Sequence, residues 1–222
     1  YVQFITCSPG KGKTSHGHSN MVPITIVDDA STETEIASVL AQFQQLRPET
    51  RVLRNTTNLG FVGSVNRGIL DSREDLLLLN SDAVPTRGFL DEIMKVAATD
   101  ERIATITPFS NHAEICSFPE FCKANPLPAD LAAVAAAFMQ EQADPIDAPT
   151  GVGFCMWLRR TALDQLGAFD EATFGRGYGE ENDYCQRAAG HGWRNVIAPN
   201  AYVAHIGNAS FAATGERPGG EN

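Results

Sequence analysis

Leu76-Leu77-Leu78-Leu79-Asn80-Ser81-Asp82 is the stretch on which the fold turns. Four consecutive leucines leave no polar side, so a strand here has to be covered on both faces, as in a sheet sandwiched between helices. The run then stops at an amide, a hydroxyl and a carboxylate, and a carboxylate has little reason to sit there for packing. Working outward, the same kind of unit recurs. Upstream, Ile24 to Val27 is a β-branched run ending at Asp28; Thr32-x-x-Glu35 has the form of a capping box, and Ile36, Val39, Leu40 and Phe43 follow at helical spacing. A short strand around Val52 and Leu53 and a helix from about Phe61 to Leu70 lead into the leucine run. Downstream, Arg87 to Ala97 reads as a helix and Ile103 to Thr107 as a strand. This alternation predicts an α/β fold: a Rossmann-like, mostly parallel central sheet flanked by helices, with a small antiparallel addition.

The second half changes character. Pro and Asn cluster between Pro108 and Pro128, an Ala-rich helix spans Leu131 to Met139, and a second proline-bearing break runs from Asp144 to Pro149. Gly153 to Arg159 reads as a strand, Thr161 to Leu166 as a short helix, Gly167 to Gly179 as a glycine-rich loop and Glu180 to His191 as a helix. Strands near Val196 and near Tyr202 to His205 follow. One domain is expected, with a first part over about 1–110, a second over about 111–211 and a frayed tail, 212–222. Val2 to Thr6 looks like a first strand, yet Ser8 to Asn20 lacks the periodicity of a crossover helix.

Bulk composition excludes several classes. With 17 basic and 27 acidic residues and a formal charge of -10, counterion-release binding of nucleic acid is not expected. Five scattered cysteines, none in a C-x-x-C pair, argue against structural zinc and a disulfide framework. No apolar run has the length of a membrane span and the start does not read as a secretory signal. The expected address is cytoplasmic, with a peripheral contact at the inner face of the membrane left open.

In open sheets ligands bind beyond the carboxyl ends of parallel strands, so the residues after each strand are the ones to read. Asp28 and Asp29 follow the first clear strand; a carboxylate there can take a pyrimidine ring N–H, or can cap the next helix. Asn58, Gly60 and Asn66 surround a helix start suited to phosphate, although Asn-x-Gly is also ordinary turn chemistry. Asn80, Ser81 and Asp82 close the leucine strand, either as an Asx turn or as an oxygen donor to Mg²⁺ or Mn²⁺. Glu180, Glu181 and Asp183 open a helix behind Gly177-Tyr178-Gly179. They either complement its dipole or present a general base. His205 ends a late β-like run, as a structural imidazole or as a nitrogen ligand joining Asp82.

Val27-Asp28-Asp29-Ala30-Ser31, Asn58-Leu59-Gly60-Phe61 with Asn66-Arg67-Gly68, Leu79-Asn80-Ser81-Asp82, Gly179-Glu180-Glu181-Asn182-Asp183 with Arg187, and His205, in this order, resemble the family 2 glycosyltransferases of GT-A fold. The likeness is greatest to bacterial rhamnosyltransferase-like members and runs from about Ile24 to Phe211. The resemblance implies that Asp29, beside Asp28, holds the nucleotide base. It places Asn80 and Asp82 at the ends of the DXD motif with Asp82 on the metal, and makes His205 the late histidine that completes that site. Glu181 falls where the catalytic Asp of the ED motif stands, Glu180 precedes it, and Thr150 and Gly151 line the acceptor pocket. Asn80 departs from the first acid of DXD, and Glu181 from Asp.

The implied reaction is inverting transfer of a sugar from a nucleotide-diphosphate donor to a hydroxyl of a glycan or lipid-linked acceptor, assisted by Mn²⁺ or Mg²⁺, in surface polysaccharide or glycan synthesis. Alternatives are a sugar nucleotidyltransferase, for which Gly10 to Lys13 is a faint triphosphate loop, and a degenerate GT-A fold that only binds. A P-loop at Gly12-Lys13-Thr14 fails because Cys7 stands where its first glycine belongs.

Overall fold

The computed structural model of the protein describes residues 2–7, 22–141 and 143–207, the first segment as backbone only. The expectations placed on Ser8 to Asn20, on the two faint phosphate loops within it and on the tail lie outside the described residues. In chain order the elements are β1 (Val2–Cys7), β2 (Ile24–Asp28), α1 (Thr34–Leu46), β3 (Arg51–Arg54), α2 (Gly60–Asp71), β4 (Leu76–Asn80), β5 (Ala83–Pro85), α3 (Phe89–Thr99) and β6 (Ile103–Phe109). A 3₁₀ turn (Glu114–Cys116) follows, then α4 (Leu131–Gln140), β7 (Ile146–Asp147), β8 (Cys155–Leu158), α5 (Arg160–Leu166), α6 (Glu171–Phe174), α7 (Glu180–Gly190) and β9 (Arg194–His205).

The strands form one sheet in the order β3-β2-β1-β4-β8-β6-β9-β5, with β7 also on β9. β2 and β3 pair in parallel, as do β6 and β9, while β1 and β8 run against both of their neighbours. Hence β2, β3, β4, β6 and β9 all point the same way, and their carboxyl ends share one edge of the sheet. The antiparallel addition is made by β5 and β7 on β9.

The leucine run behaves as its composition demands. Leu76 and Leu78 face a core with Val27, Val62, Val65, Ile69, Met156 and Tyr184, whereas Leu77 faces Ile93, Val96, Ile106, Trp157 and Val196 on the other side. Each of these leucines, at most 2 % exposed, contributes about 2 kcal/mol of burial. β8 alternates in step, Trp157 to one core and Met156 and Leu158 to the other.

Three local expectations change. β1 lies antiparallel between β2 and β4, and antiparallel neighbours need no crossover helix between them. The capping box does not form: Glu33 is the N-cap of α1, with no side-chain bond, so Glu35 falls one position short of the N3 site that a box requires. The two late strands are one, β9, with an irregularity in the middle. Pro108 pairs with Ala198 and Phe109 with Tyr202, so β9 carries extra residues between those pairs. Its last three residues then turn to β5, Ala83 opposite His205 and Pro85 opposite Val203.

Candidate active site

The sharp turn from β4 into β5, together with the pairing of β5 on β9, brings Asp82 and His205 together from distant parts of the chain. The Ile206 N–H donates to the Asp82 carbonyl at 3.0 Å, and His205 Nε2 lies 3.3 Å from Asp82 Oδ1. The other ring nitrogen, Nδ1, is 2.7 Å from the His112 carbonyl. A carbonyl only accepts, so Nδ1 carries the proton and Nε2 is the nitrogen turned to Asp82. Burial pulls the imidazole pKa down, but the hydrogen bonds to Asp82 and the His112 carbonyl, with the charge of Asp82, outweigh it and hold it above its ordinary value. A nitrogen lone pair and a carboxylate oxygen pointing at one another call for a proton or a cation. With its outer nitrogen bonded to a carbonyl, His205 has the orientation that histidine metal ligands adopt. One carboxylate and one imidazole suit Mn²⁺ or Mg²⁺ when phosphate oxygens and water supply the remaining positions.

The second group sits at the start of α7. Gly179, at φ 105°, is the N-cap, a conformation that favours glycine. Glu181 Oε1 accepts the Gly153 N–H at 3.1 Å, and a side chain at Gly153 would collide with that carboxylate and with the Phe61 ring. Glu180 is 2 % exposed and, among the described residues, its buried Oε2 has no hydrogen-bond partner. Burial first, then the charge of Glu180 and a hydrogen bond from the protonated Glu181 to it, push Glu181 up to about 8. The backbone N–H groups of Glu181 and Gly153 work against that rise and are outweighed.

Gly153 and Phe154 tie the two groups into one site. Gly153 holds Glu181, the Phe154 carbonyl accepts the Asn80 N–H at 2.8 Å, and the Phe154 ring stacks on His205 at 5.0 Å and 27°. Ser81 is exposed at the mouth of the β4–β5 turn. Thr150 and Gly151 lie just upstream: Thr150 Oγ1 donates to the Gly151 carbonyl at 3.0 Å and the Gly151 N–H reaches Cys185 Sγ at 3.1 Å.

Other candidates serve the framework. Asp29, 1 % exposed, accepts Asn55 Nδ2 and the Leu59 N–H on Oδ1, both at 2.7 Å, and the Gly60 N–H on Oδ2 at 2.8 Å. The Phe61 N–H donates to the Arg176 carbonyl at 3.2 Å. The Gly60 and Phe61 N–H groups at the α2 start therefore already have acceptors within the protein. Asn58 also takes the Gly60 N–H at 3.1 Å and Arg176 at 3.2 Å. Asp28 accepts the Ser31 N–H at 3.0 Å and pairs with Arg54 at 3.4 Å. Asn66 is bonded in both directions to the Phe169 backbone, at 2.9 and 3.0 Å. Asp183, the third base candidate, is paired within its own helix. Arg187 holds it at 2.7 Å while also bonding the Leu166 and Ala168 carbonyls.

A cavity of about 460 Å³ beside Asp28 and Asp29 is lined by Ala30, Arg54, Asn55 and Thr56. A larger one of about 630 Å³, lined by residues of α3 and by Met139 of α4, includes none of the site residues. The sequence reading passed over Asn55, Asn111, His112, Gly153 and Phe154. Asn55 and Asn111 lie just beyond β3 and β6, so the rule of reading strand ends points to both.

The strand ends that point one way carry an aspartate–histidine pair beside an acidic pair, on a sheet of GT-A fold. The chain belongs to glycosyltransferase-like family 2, whose model matches residues 13–217. Family membership makes it a glycosyl-transferring enzyme and sets aside the nucleotidyltransferase alternative. An N-acetylglucosaminyl-diphospho-decaprenol L-rhamnosyltransferase of Mycobacterium tuberculosis is 26 % identical over 92 % of this chain and 75 % of its own length. Among solved structures, GalNAc-T7 with UDP, GalNAc and Mn²⁺ superposes with a TM-score of 0.64 at 15 % identity, over 82 % of this chain and 37 % of that one. The mannosyltransferase PcManGT of Pyrobaculum calidifontis, with GDP-Man and Mn²⁺, gives 0.59 at 18 % identity, over 86 % and 49 %. This chain thus spans half or less of those solved chains, which speak for the fold.

Proposed function

We propose that the protein transfers a sugar from a nucleotide-diphosphate sugar to an acceptor hydroxyl with inversion, and that Asp82, His205, Glu181 and Glu180 are the groups that do so. The observation carrying this reading is the bridge at Gly153–Phe154, which joins the Asp82–His205 pair to the Glu181 carboxyl. Asp28 and Asp29 shape the adjoining cavity for the nucleoside, with Asn55 and Arg54 on its wall. Asn80 and Ser81 hold the β4–β5 turn against the diphosphate side. Thr150 and Gly151 stand on the acceptor side.

Glu181 takes the proton of the acceptor hydroxyl as that oxygen attacks the anomeric carbon, while the bond from that carbon to the diphosphate oxygen breaks. A carboxyl pushed up to about 8 has the proton affinity that general-base work near neutral pH favours. Glu180, buried against it, raises that affinity by its charge. Asp82 Oδ1 and His205 Nε2 would hold a divalent cation, and such an ion neutralises charge on a departing diphosphate. Solved GT-A relatives contain Mn²⁺ with UDP or GDP-mannose, which supports that choice of metal. The mycobacterial relative acts on a diphospho-decaprenol, which supports a lipid-linked acceptor met at a membrane surface. Among the described residues no helix is long and apolar enough to cross one.

The test is a panel of nucleotide-diphosphate sugars scored by thermal stabilisation with and without Mn²⁺, followed by product analysis with a polyprenyl-diphosphate sugar acceptor. Stabilisation that needs Mn²⁺ and a product of inverted anomeric configuration are expected. A retained configuration, or no Mn²⁺-dependent binding of any donor, overturns the reading.

A further inference from the structure

β6 ends where the site begins, and the loop behind it contains a residue that the proposed chemistry does not use. Asn111 is 4 % exposed, a place where an amide has to be bonded at both ends. Its Oδ1 accepts the His205 N–H at 2.8 Å and its Nδ2 donates to the His205 carbonyl at 2.9 Å. One side chain thereby grips both backbone groups of one residue, as a neighbouring strand would. The next residue adds a third contact, the His112 carbonyl on Nδ1 of the same imidazole at 2.7 Å. The grip is itself anchored by Asn125, which donates to the Asn111 carbonyl from its backbone at 2.9 Å and from Nδ2 at 3.1 Å. Gly207 closes the far side; a Cβ there would come within 2.6 Å of His112 Nδ1.

We infer that Asn111, acting with the His112 carbonyl, is the positioning residue that keeps His205 in the Nδ1–H tautomer with Nε2 turned to Asp82. An imidazole coordinates only through a nitrogen that carries no proton, and the bond made by the other nitrogen decides which one that is. His205 is the last residue of β9, so its backbone needs a partner beyond β5 to hold the ring at one angle. Asn111 supplies that partner from a different element. The functional meaning of this inference rests on reading Asp82 and His205 as cation ligands; its structural content, a single tautomer in the metal-free protein, does not.

The experiment is long-range ¹H–¹⁵N NMR of metal-free protein at alkaline pH, with the His205 signals identified by a His205→Gln variant, alongside Mn²⁺ titration by electron paramagnetic resonance with and without UDP. The parent is expected to show the Nδ1–H tautomer alone. Asn111→Ala should show a mixture and bind Mn²⁺ about tenfold more weakly. Asn125→Ala loosens the same loop without removing a bond to His205, and should keep both the tautomer and the Mn²⁺ affinity. An Nε2–H tautomer in the parent, no change in Asn111→Ala, or an equal loss in Asn125→Ala overturns the inference. Should Asn111→Ala fail to fold, Asn111→Asp replaces it: the carboxylate has nearly the same shape but cannot donate to the His205 carbonyl, so mixed tautomers support the inference and an unchanged spectrum overturns it. If His205→Gln binds Mn²⁺ like the parent, the cation assignment falls, and the tautomer spectra alone decide the positioning role.

Discussion

The acids at the ends of β2 and those at the start of α7 are buried alike but provisioned differently. Asp29 has its two oxygens filled by Asn55 and by the Leu59 and Gly60 N–H groups. Glu180 is just as buried, yet among the described residues one of its oxygens has no partner, and Glu181 beside it is driven toward the protonated form. A carboxylate satisfied by backbone donors is holding a loop in shape. One left short of donors against a like charge keeps proton affinity available for a reaction. Sequence alone cannot separate the two cases, because both appear as acids after a glycine-bearing or strand-ending turn.

The largest expected effect breaks the comparison on the reactive side. Glu181→Gln should lower transfer by about 10²–10⁴-fold in a radiolabelled-sugar assay, with donor binding spared; equal turnover removes the base assignment. Asp82→Ala comes next. Mn²⁺-dependent donor affinity should weaken on the order of 100-fold, because the site loses one of its two protein ligands, and calorimetry with and without Mn²⁺ reads it.

On the framework side, Asp29→Ala should remove three hydrogen bonds, leaving the Leu59 N–H without its acceptor, and cost about 2–4 kcal/mol, seen as a fall in Tm of roughly 5–10 °C. Smaller still is a pH effect. Because the Glu181 pKa is raised on folding, its contribution to stability is whole below about 4.5 and is lost as pH rises through about 8. Glu181→Gln should therefore gain a few degrees of Tm over the parent, on the order of 2–5 °C, between pH 5 and pH 9. A difference that stays flat or runs the other way contradicts the buried pair. Asp183→Asn closes the series, with transfer changed by about twofold or less, since its partly exposed ion pair with Arg187 is worth about 1 kcal/mol.

Much of the fold was legible because one signal dominated. Leu76 to Leu79 had to be a central strand, and α1, α2 and α7 declared themselves by helical spacing. The antiparallel setting of β1 was not legible, since strand direction is decided by pairing partners and leaves no mark in a six-residue apolar run. The Thr32 box failed by a single position. At the site, Asp82, His205 and Glu181 could be named because their residue types have little packing use at strand ends and helix starts. Gly153 and Phe154 act through a backbone N–H, a carbonyl and a ring face, which any residue or any aromatic could offer; nothing in the letters marks them. Asn111 was hidden by its surroundings, one amide among the prolines and asparagines of an irregular loop. The pairing of Asp183 with Arg187, one turn along the same helix, has a spacing that the sequence does show.

The irregular stretch in the middle of β9 has a consequence for how this protein tolerates change. Side chains along an extended chain alternate between two sides, so the count of residues from Ala198 to His205 decides whether the imidazole meets Asp82 or faces the opposite way. Loss or gain of one residue there would leave every ligand-type amino acid in the sequence and still dismantle the pair, whereas a two-residue change preserves the parity. Length in this segment is thus under tighter constraint than residue identity, and a deletion scan across Pro199 to Ala201 would reveal it as an odd–even pattern in cation binding.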